Sequence, residues 1–183
     1  MRTDAKRNRA RLIEVAVQVF TEYGVDASLN EIAKRAGVGS GTLYRHFASR
    51  EALLRAVVSE RFASLTAYTR GLLDAPPDGT TLRSWLRAVI DHVTTFPGLA
   101  SSVMAVLDGG ASELAADCGG VRTSGEALLD RLQEAGVVDG DVEITDLLKL
   151  VNAIALATER MPGGRPQAER LLELVLRGVE TRR

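Results

Sequence analysis

This sequence predicts an all-α fold of about nine helices, and three observations carry the prediction. Aromatics are only 4% of the 183 residues, whereas Ala, Leu, Val and Arg abound, a balance that favours helix over sheet. Apolar residues recur at helical spacing, as in Leu12, Ala16, Val19, Phe20 and Tyr23, which is the period of a helix burying one face. Gly and Pro cut the remainder into segments of helical length. The clearest cut is Ala75-Pro76-Pro77-Asp78-Gly79, because two consecutive prolines cannot continue a helix. At this length the chain can bury a substantial core.

The first helix spans roughly residues 4 to 23 and Gly24 ends it. Arg2, Lys6, Arg7, Arg9 and Arg11 crowd its start, where positive charge opposes the helix dipole, so phosphate contact or a solvated arm must explain them. Ser28 with Glu31 three residues on reads as a capping box for a second helix, residues 29 to 36. Gly37 supplies the positive φ that stops it, and Val38 packs the turn. A third helix, only two turns long, runs from Gly39 or Ser40 to His46, and Ser49 caps a fourth that continues to about Leu73. At about 1.5 Å per residue the fourth is some 35 Å long, enough to connect two lobes. Leu54, Val58, Phe62, Leu65, Tyr68 and Leu72 mark its expected buried stripe. Two short helices joined by a Gly-containing turn, the second polar, form the helix-turn-helix pattern that enters the DNA major groove.

Gly41-Thr42-Leu43-Tyr44-Arg45-His46-Phe47, followed by Ser49-Arg50-Glu51-Ala52-Leu53, resembles the N-terminal signature of TetR-type transcriptional repressors. The basic first helix and Phe20-Thr21-Glu22-Tyr23-Gly24 match as well, so the resemblance covers about residues 8 to 60. The rest matches in length and helical texture and identifies no subfamily. The resemblance implies a DNA-binding domain over residues 1–48, a connecting helix over 49–75, and a ligand-binding and dimerisation domain over 76–183. It also implies a homodimer on a palindromic or near-palindromic double-stranded DNA operator, with an unidentified small-molecule effector.

On that pattern Thr42 and Arg45 lie near the exposed face of the third helix, within reach of base edges. Arg45 suits a guanine edge or a phosphate equally. Tyr44 and His46 occupy family positions that meet the DNA backbone, and Ser40 is a further contact. Gly41 suits close approach to the groove, or serves as a helix-start device. Ser28 and Arg50 begin the second and fourth helices, where backbone N–H groups favour an anion; Ser28 alternatively only caps. Lys34 and Arg35 read as a solvated face. The sequence departs from the family in Gly39-Ser40-Gly41, a turn with more freedom than one glycine confers.

The charge is asymmetric: residues 1–61 hold 11 Lys/Arg against 7 Asp/Glu, the rest 12 against 17, a basic end on an acidic body within a net charge of −1. That suits one end meeting phosphate, though an imbalance this small is common. The single Cys118 excludes an internal disulfide. No apolar run approaches the roughly 20 residues of a membrane span. Glu14 and Gln18 interrupt any signal-peptide core, so a cytoplasmic protein is expected.

Beyond the proline pair, Thr80 is the expected cap of a fifth helix ending before Pro97, and a sixth runs from Leu99 to Leu107. Residues 111–120 are ambiguous, and a seventh helix follows over 121–135. Leu147–Leu156 reads LLKLVNAIAL, apolar nearly all round, and Leu171 to Val179 repeats that texture after the Pro162–Pro166 loop. One chain of this size has little core left to cover both, which predicts a four-helix homodimer interface, with an intrachain bundle as the alternative. Trp85, Val89, His92 and Phe96 share one face of the fifth helix, and an aromatic face with an imidazole can line an apolar pocket or simply be core. Phe62, Met104 and Asn152 complete the ligand candidates. Asp108, Asp117 and Cys118 lack a recognised metal spacing, so neither metal nor cofactor is expected. Without HExxH, CxxC, a phosphate loop or a dinucleotide fingerprint, an all-α enzyme ranks far below a regulator. A DNA-binding dimer with no effector is the third reading.

Overall fold

The computed structural model describes residues 2–181, with side chains from residue 5 onward, so the side chain expected of Arg2 lies outside the described residues. Nine α-helices are described: α1 Arg2–Tyr23, α2 Leu29–Arg35, α3 Ser40–His46, α4 Arg50–Gly71, α5 Gly79–Val93, α6 Leu99–Leu107, α7 Ala115–Glu134, α8 Ile144–Thr158 and α9 Gly164–Val179. A short 3-10 turn, Leu72–Asp74, ends the run of α4. Among the described residues the extended pairing is limited to an isolated bridge between Val138 and Glu180. The fold is all-α, as the composition predicts.

Helices α1 to α3 close over Leu12, Ala16, Phe20, Ile32, Leu43 and Phe47, all buried. Gly24 and Gly37 take φ of +83° and +66°, so both helix stops use the left-handed conformation only glycine adopts cheaply. The capping box does not form: Ser28 precedes α2 but its hydroxyl makes no cap bond. Glu31 instead accepts from Arg35 Nε at 2.8 Å, one turn on. Arg35 also donates to Glu22 at 2.8 Å and to the Tyr23 hydroxyl at 3.2 Å. It is therefore a strut between α1 and α2 rather than a solvated cation, and its bond holds the Glu31 carboxyl below the usual range. Tyr23, expected on the buried stripe of the first helix, is 62% exposed beneath that strut.

Helix α4 buries Leu54, Val58, Phe62 and Leu65 and runs from the small domain into the C-terminal lobe, packing on α1 and most extensively on α7. Tyr68, expected in that stripe, is exposed. Ser49 caps the helix, accepting from Ala52 N–H at 3.0 Å. Asp78, not Thr80, caps α5: its carboxylate accepts from the N–H groups of Thr80 and Thr81, each at 2.9 Å. A charged acceptor serves two orphan donors better than a hydroxyl. The ambiguous stretch before residue 121 is helical from Ala115, because Leu114, Cys118 and Val121 bury there. That burial outweighs the roughly 1 kcal/mol each helical glycine costs. Gly125 is required by packing, since a Cβ there would sit 2.5 Å from the Trp85 ring.

The turn between α5 and α6 docks on the turn between α1 and α2. Val25 N–H donates to Pro97 C=O at 2.8 Å, and Phe96 meets Phe20 edge-on at 6.3 Å between centroids. A side chain on Gly24 would meet Pro97 O at 2.7 Å. The small domain thus rests on the C-terminal lobe through α4 and through this turn.

In α8 the inward residues Leu147, Leu148, Val151, Ile154 and Ala155 are buried, while Leu150 is 47% and Leu156 37% exposed. In α9 Leu172 and Leu176 are buried, but Leu174 is 59% exposed. The apolar-all-round texture of these helices leaves outward stripes that this chain does not cover.

Candidate nucleic-acid interface

Helix α3 turns Leu43 inward, fully buried, and the following Phe47 is 3% exposed. That anchoring leaves Ser40, Gly41, Tyr44 and Arg45 on the solvent side, with Thr42 and His46 half-buried at its edges. Gly41 faces open space: beyond its chain neighbours and the backbone of its own helix, no atom lies within 4 Å of where its Cβ would be. Arg45 Nη2 donates to Thr42 Oγ1 at 2.9 Å, one turn back, so the two expected base-edge residues hold each other on one face. The segment is helical and its polar side is outward.

Ser28, Tyr44 and Arg50 come together. With Asp26, Leu29 and Asn30 they line a surface hollow of about 330 Å³ beside α3. Arg50 Nη1 sits 3.7 Å from Asp26 Oδ1, a loose and solvated pair that an incoming phosphate would displace at little cost. Asn30 was not foreseen; its position in the first turn of α2, two residues after Ser28, is the signal that marks it. His46 is placed apart from this group. It lines a different hollow with Arg9, Phe47 and Arg55, and the Arg9 guanidinium lies 5.2 Å above the Phe47 ring. Arg9, read only as part of a basic start, is thereby fixed beside the end of α3.

The ligand candidates divide likewise. Phe62, Val89, His92 and Asn152 line one internal cavity of about 30 Å³ between α4, α5, α6, α7 and α8. Trp85 and Met104 do not. Trp85 is fully buried with its indole N–H donating to Thr69 Oγ1 at 3.1 Å, a core residue. Met104 is half-buried and its neighbour Val103 takes the inward position, about 100° round the helix. Cys118 also lines the cavity; burial pushes its thiol up to about 11, so it is not a reactive thiolate. Asp108 pairs with Lys149 at 2.8 Å and Asp117 with Arg55 at 2.9 Å.

His92 stacks its ring edge on Phe62 at 4.4 Å between centroids. Burial, and secondarily the charge of Arg61, pulls it down to about 4 from an ordinary value near 6.5. The unfolded chain therefore binds a proton that the folded one refuses between those values. Stability is expected to fall as pH drops from about 6.5 to about 4, by on the order of 2–3 kcal/mol, with no change above that window. Denaturant titrations of the wild type and His92→Phe at several pH values check this, since the variant should lose that part of the acid sensitivity.

Comparison with known proteins places this geometry. Residues 12–57 match the bacterial regulatory proteins of the tetR family, and residues 77–181 match the C-terminal domain of SbtR-like transcriptional regulators. HTH-type transcriptional regulators of Staphylococcus aureus strains USA300 and NCTC 8325 / PS 47 are 51% identical over 59 residues. That match spans 32% of this chain and 32% of theirs. The crystal structure of the TetR transcriptional regulator SCO0520 from Streptomyces coelicolor is 40% identical, covering 96% of this chain and 99% of that one with a TM-score of 0.65. A TetR regulatory protein from Mycobacterium vanbaalenii is 31% identical over 98% of this chain and 99% of that one, with a TM-score of 0.55. Among the described residues no helix is long and apolar enough to cross a membrane. With both halves matched and the outward α3 face in place, the chain belongs to the TetR family of transcriptional regulators, and it is a DNA-binding protein.

Proposed function

We propose that the protein acts in the cytoplasm as a homodimeric repressor that grips a palindromic or near-palindromic operator and is released by a small molecule in its C-terminal lobe. The observation that carries this reading is the outward face of α3, with Gly41, Tyr44 and Arg45 exposed on a helix anchored by Leu43 and Phe47. In it, Thr42 and Arg45 meet base edges, Tyr44, Ser28 and Arg50 hold one phosphate hollow, and His46 and Ser40 contact the backbone nearby. Two copies of α3 then enter major grooves about 34 Å apart. Helix α4 and the docked turn at Pro97 carry changes in the C-terminal lobe to that separation. An effector releases DNA only through unequal affinity for the two arrangements.

Gly41→Ala separates this reading from a structural role. The open space at Gly41 means the fold should keep its stability or gain up to about 1 kcal/mol from better helix propensity. Operator affinity should nevertheless drop by at least about tenfold, as the added methyl holds α3 off the groove. Equal affinity in a gel-shift titration against DNA flanking the coding region would remove Gly41 from the closest approach and leave it a helix-start residue.

A regulator without an effector is favoured by one observation: at about 30 Å³ the cavity, as it stands, admits water rather than a drug-sized molecule. Operator release by any small molecule that binds the C-terminal lobe decides between the two.

A further inference from the structure

The C-terminal lobe holds two buried polar atoms without partners, His92 Nε2 and Asn152 Oδ1. His92 is 6% and Asn152 1% exposed, and both line the same internal cavity. The orientation of Asn152 is settled by its Nδ2, which donates to Ala100 C=O at 2.8 Å, so its free atom is strictly an acceptor. Around them the lining is carbon and one thiol, including Phe62, Val93, Leu107 and Leu148. Buried polar atoms ordinarily find partners, and two orphans in one cavity mark a place where something else supplies them. A wider groove of about 550 Å³ opens between α4 and α5, lined by Glu60, Arg61, Ser64, Tyr68 and Asp91. Leu65 and His92 line both the groove and the cavity, so those two side chains form the wall between them.

We infer that groove and cavity are two compartments of one binding site for a neutral, mainly apolar molecule bearing a hydroxyl, which enters past Leu65 and His92. This deepens the effector reading proposed above and rests on it. The hydroxyl donates its one proton to Asn152 Oδ1 and accepts from His92 Nε2–H, which selects the Nε2-protonated tautomer of the ring. An anion is disfavoured because no cationic side chain lines the cavity, Asn152 offers it a lone pair, and the groove sets Arg61 beside Glu60 and Asp91. A pure hydrocarbon leaves both atoms orphaned. With the wall displaced, the joined volume falls in the range of ordinary ligand sites, which the cavity alone does not.

The test uses three probes on one skeleton, 2-naphthol, 2-methylnaphthalene and 2-naphthoate, titrated into the full-length protein near pH 7.5 with fluorescence and thermal-shift readouts. The wild type should bind 2-naphthol at least about tenfold more tightly than either of the others. In Asn152→Leu and His92→Phe that preference should shrink to within about twofold, and Leu65→Ala should speed 2-naphthol association. No binding by any probe, equal affinity for all three, or a water bridging His92 and Asn152 that persists under saturating 2-naphthol would each overturn the proposal; these need only the wild type. A preference retained in both variants would overturn it too. Operator affinity is measured separately: 2-naphthol bound with the stated preference, but without release of DNA, supports the site while sinking the effector reading.

Discussion

Alanine at both Tyr44 and Arg45 is expected to lower operator affinity by at least about 100-fold while leaving fold and self-association unchanged. Both side chains are on the solvent side of α3, and Tyr44 is 51% exposed, so their removal opens no cavity in the core. Surface truncations of this kind usually shift stability by no more than about 0.5 kcal/mol. On DNA the loss is larger. A good side-chain contact to a base edge discriminates by about 1–3 kcal/mol, and a lost phosphate contact adds a loss that is blind to sequence. The single variants should therefore differ in kind. If Arg45 reads a guanine, Arg45→Ala flattens preference at one base position; if it meets phosphate, the loss is uniform and the salt dependence becomes shallower. Quantitative gel shifts with point-substituted operators measure both. Affinity unchanged in the double variant would overturn the placement of the interface on α3.

Glutamate at both Leu150 and Leu174 is expected to convert the proposed homodimer to monomer at micromolar concentration. These side chains are 47% and 59% exposed on helices whose inward faces are already filled by Leu147, Val151, Leu172 and Leu176. Across a twofold axis each leucine counts twice, and burying one contributes about 1.5–3 kcal/mol. Replacing four such groups with carboxylates should weaken the dimer by more than about 1,000-fold. The monomer should stay folded, because nothing in its own core changes, but melt below the wild-type dimer, which gains stability from association. Operator affinity should fall with dimerisation, since one half-site then holds the protein alone. Light scattering or sedimentation reads the outcome directly; a dimer that survives both charges would move the interface elsewhere.

The legible part of the molecule was local. The glycines that stop α1 and α2 do so at positive φ because no other residue takes that conformation cheaply. The two-turn α3 follows from the glycine turn before it and the Ser49 cap after it, within the TetR-like signature. Errors cluster where neighbours compete for the same group. Glu31 was available both to a capping box and to Arg35, and the guanidinium, already braced by Glu22, won. Thr80 lost the cap of α5 to Asp78 because a carboxylate two residues earlier reached the same N–H groups. The span before residue 121 is ambiguous from its glycines, and it is helical from Ala115 because Cys118 and Val121 bury against other helices.

By itself, then, the sequence determined an all-α chain and the helix-turn-helix at its N-terminal end, because helix periodicity and glycine stops act over a few residues; the resemblance to the TetR signature added Tyr44 to the outward set. Only the tertiary structure decided which distant residues meet. It gathered Ser28, Tyr44 and Arg50 around one hollow, set His46 apart with Arg9, and sent Trp85 into the core. It also brought His92 and Asn152, sixty positions apart, to the same cavity without partners. Such meetings depend on how whole helices pack, which no local pattern of residues encodes.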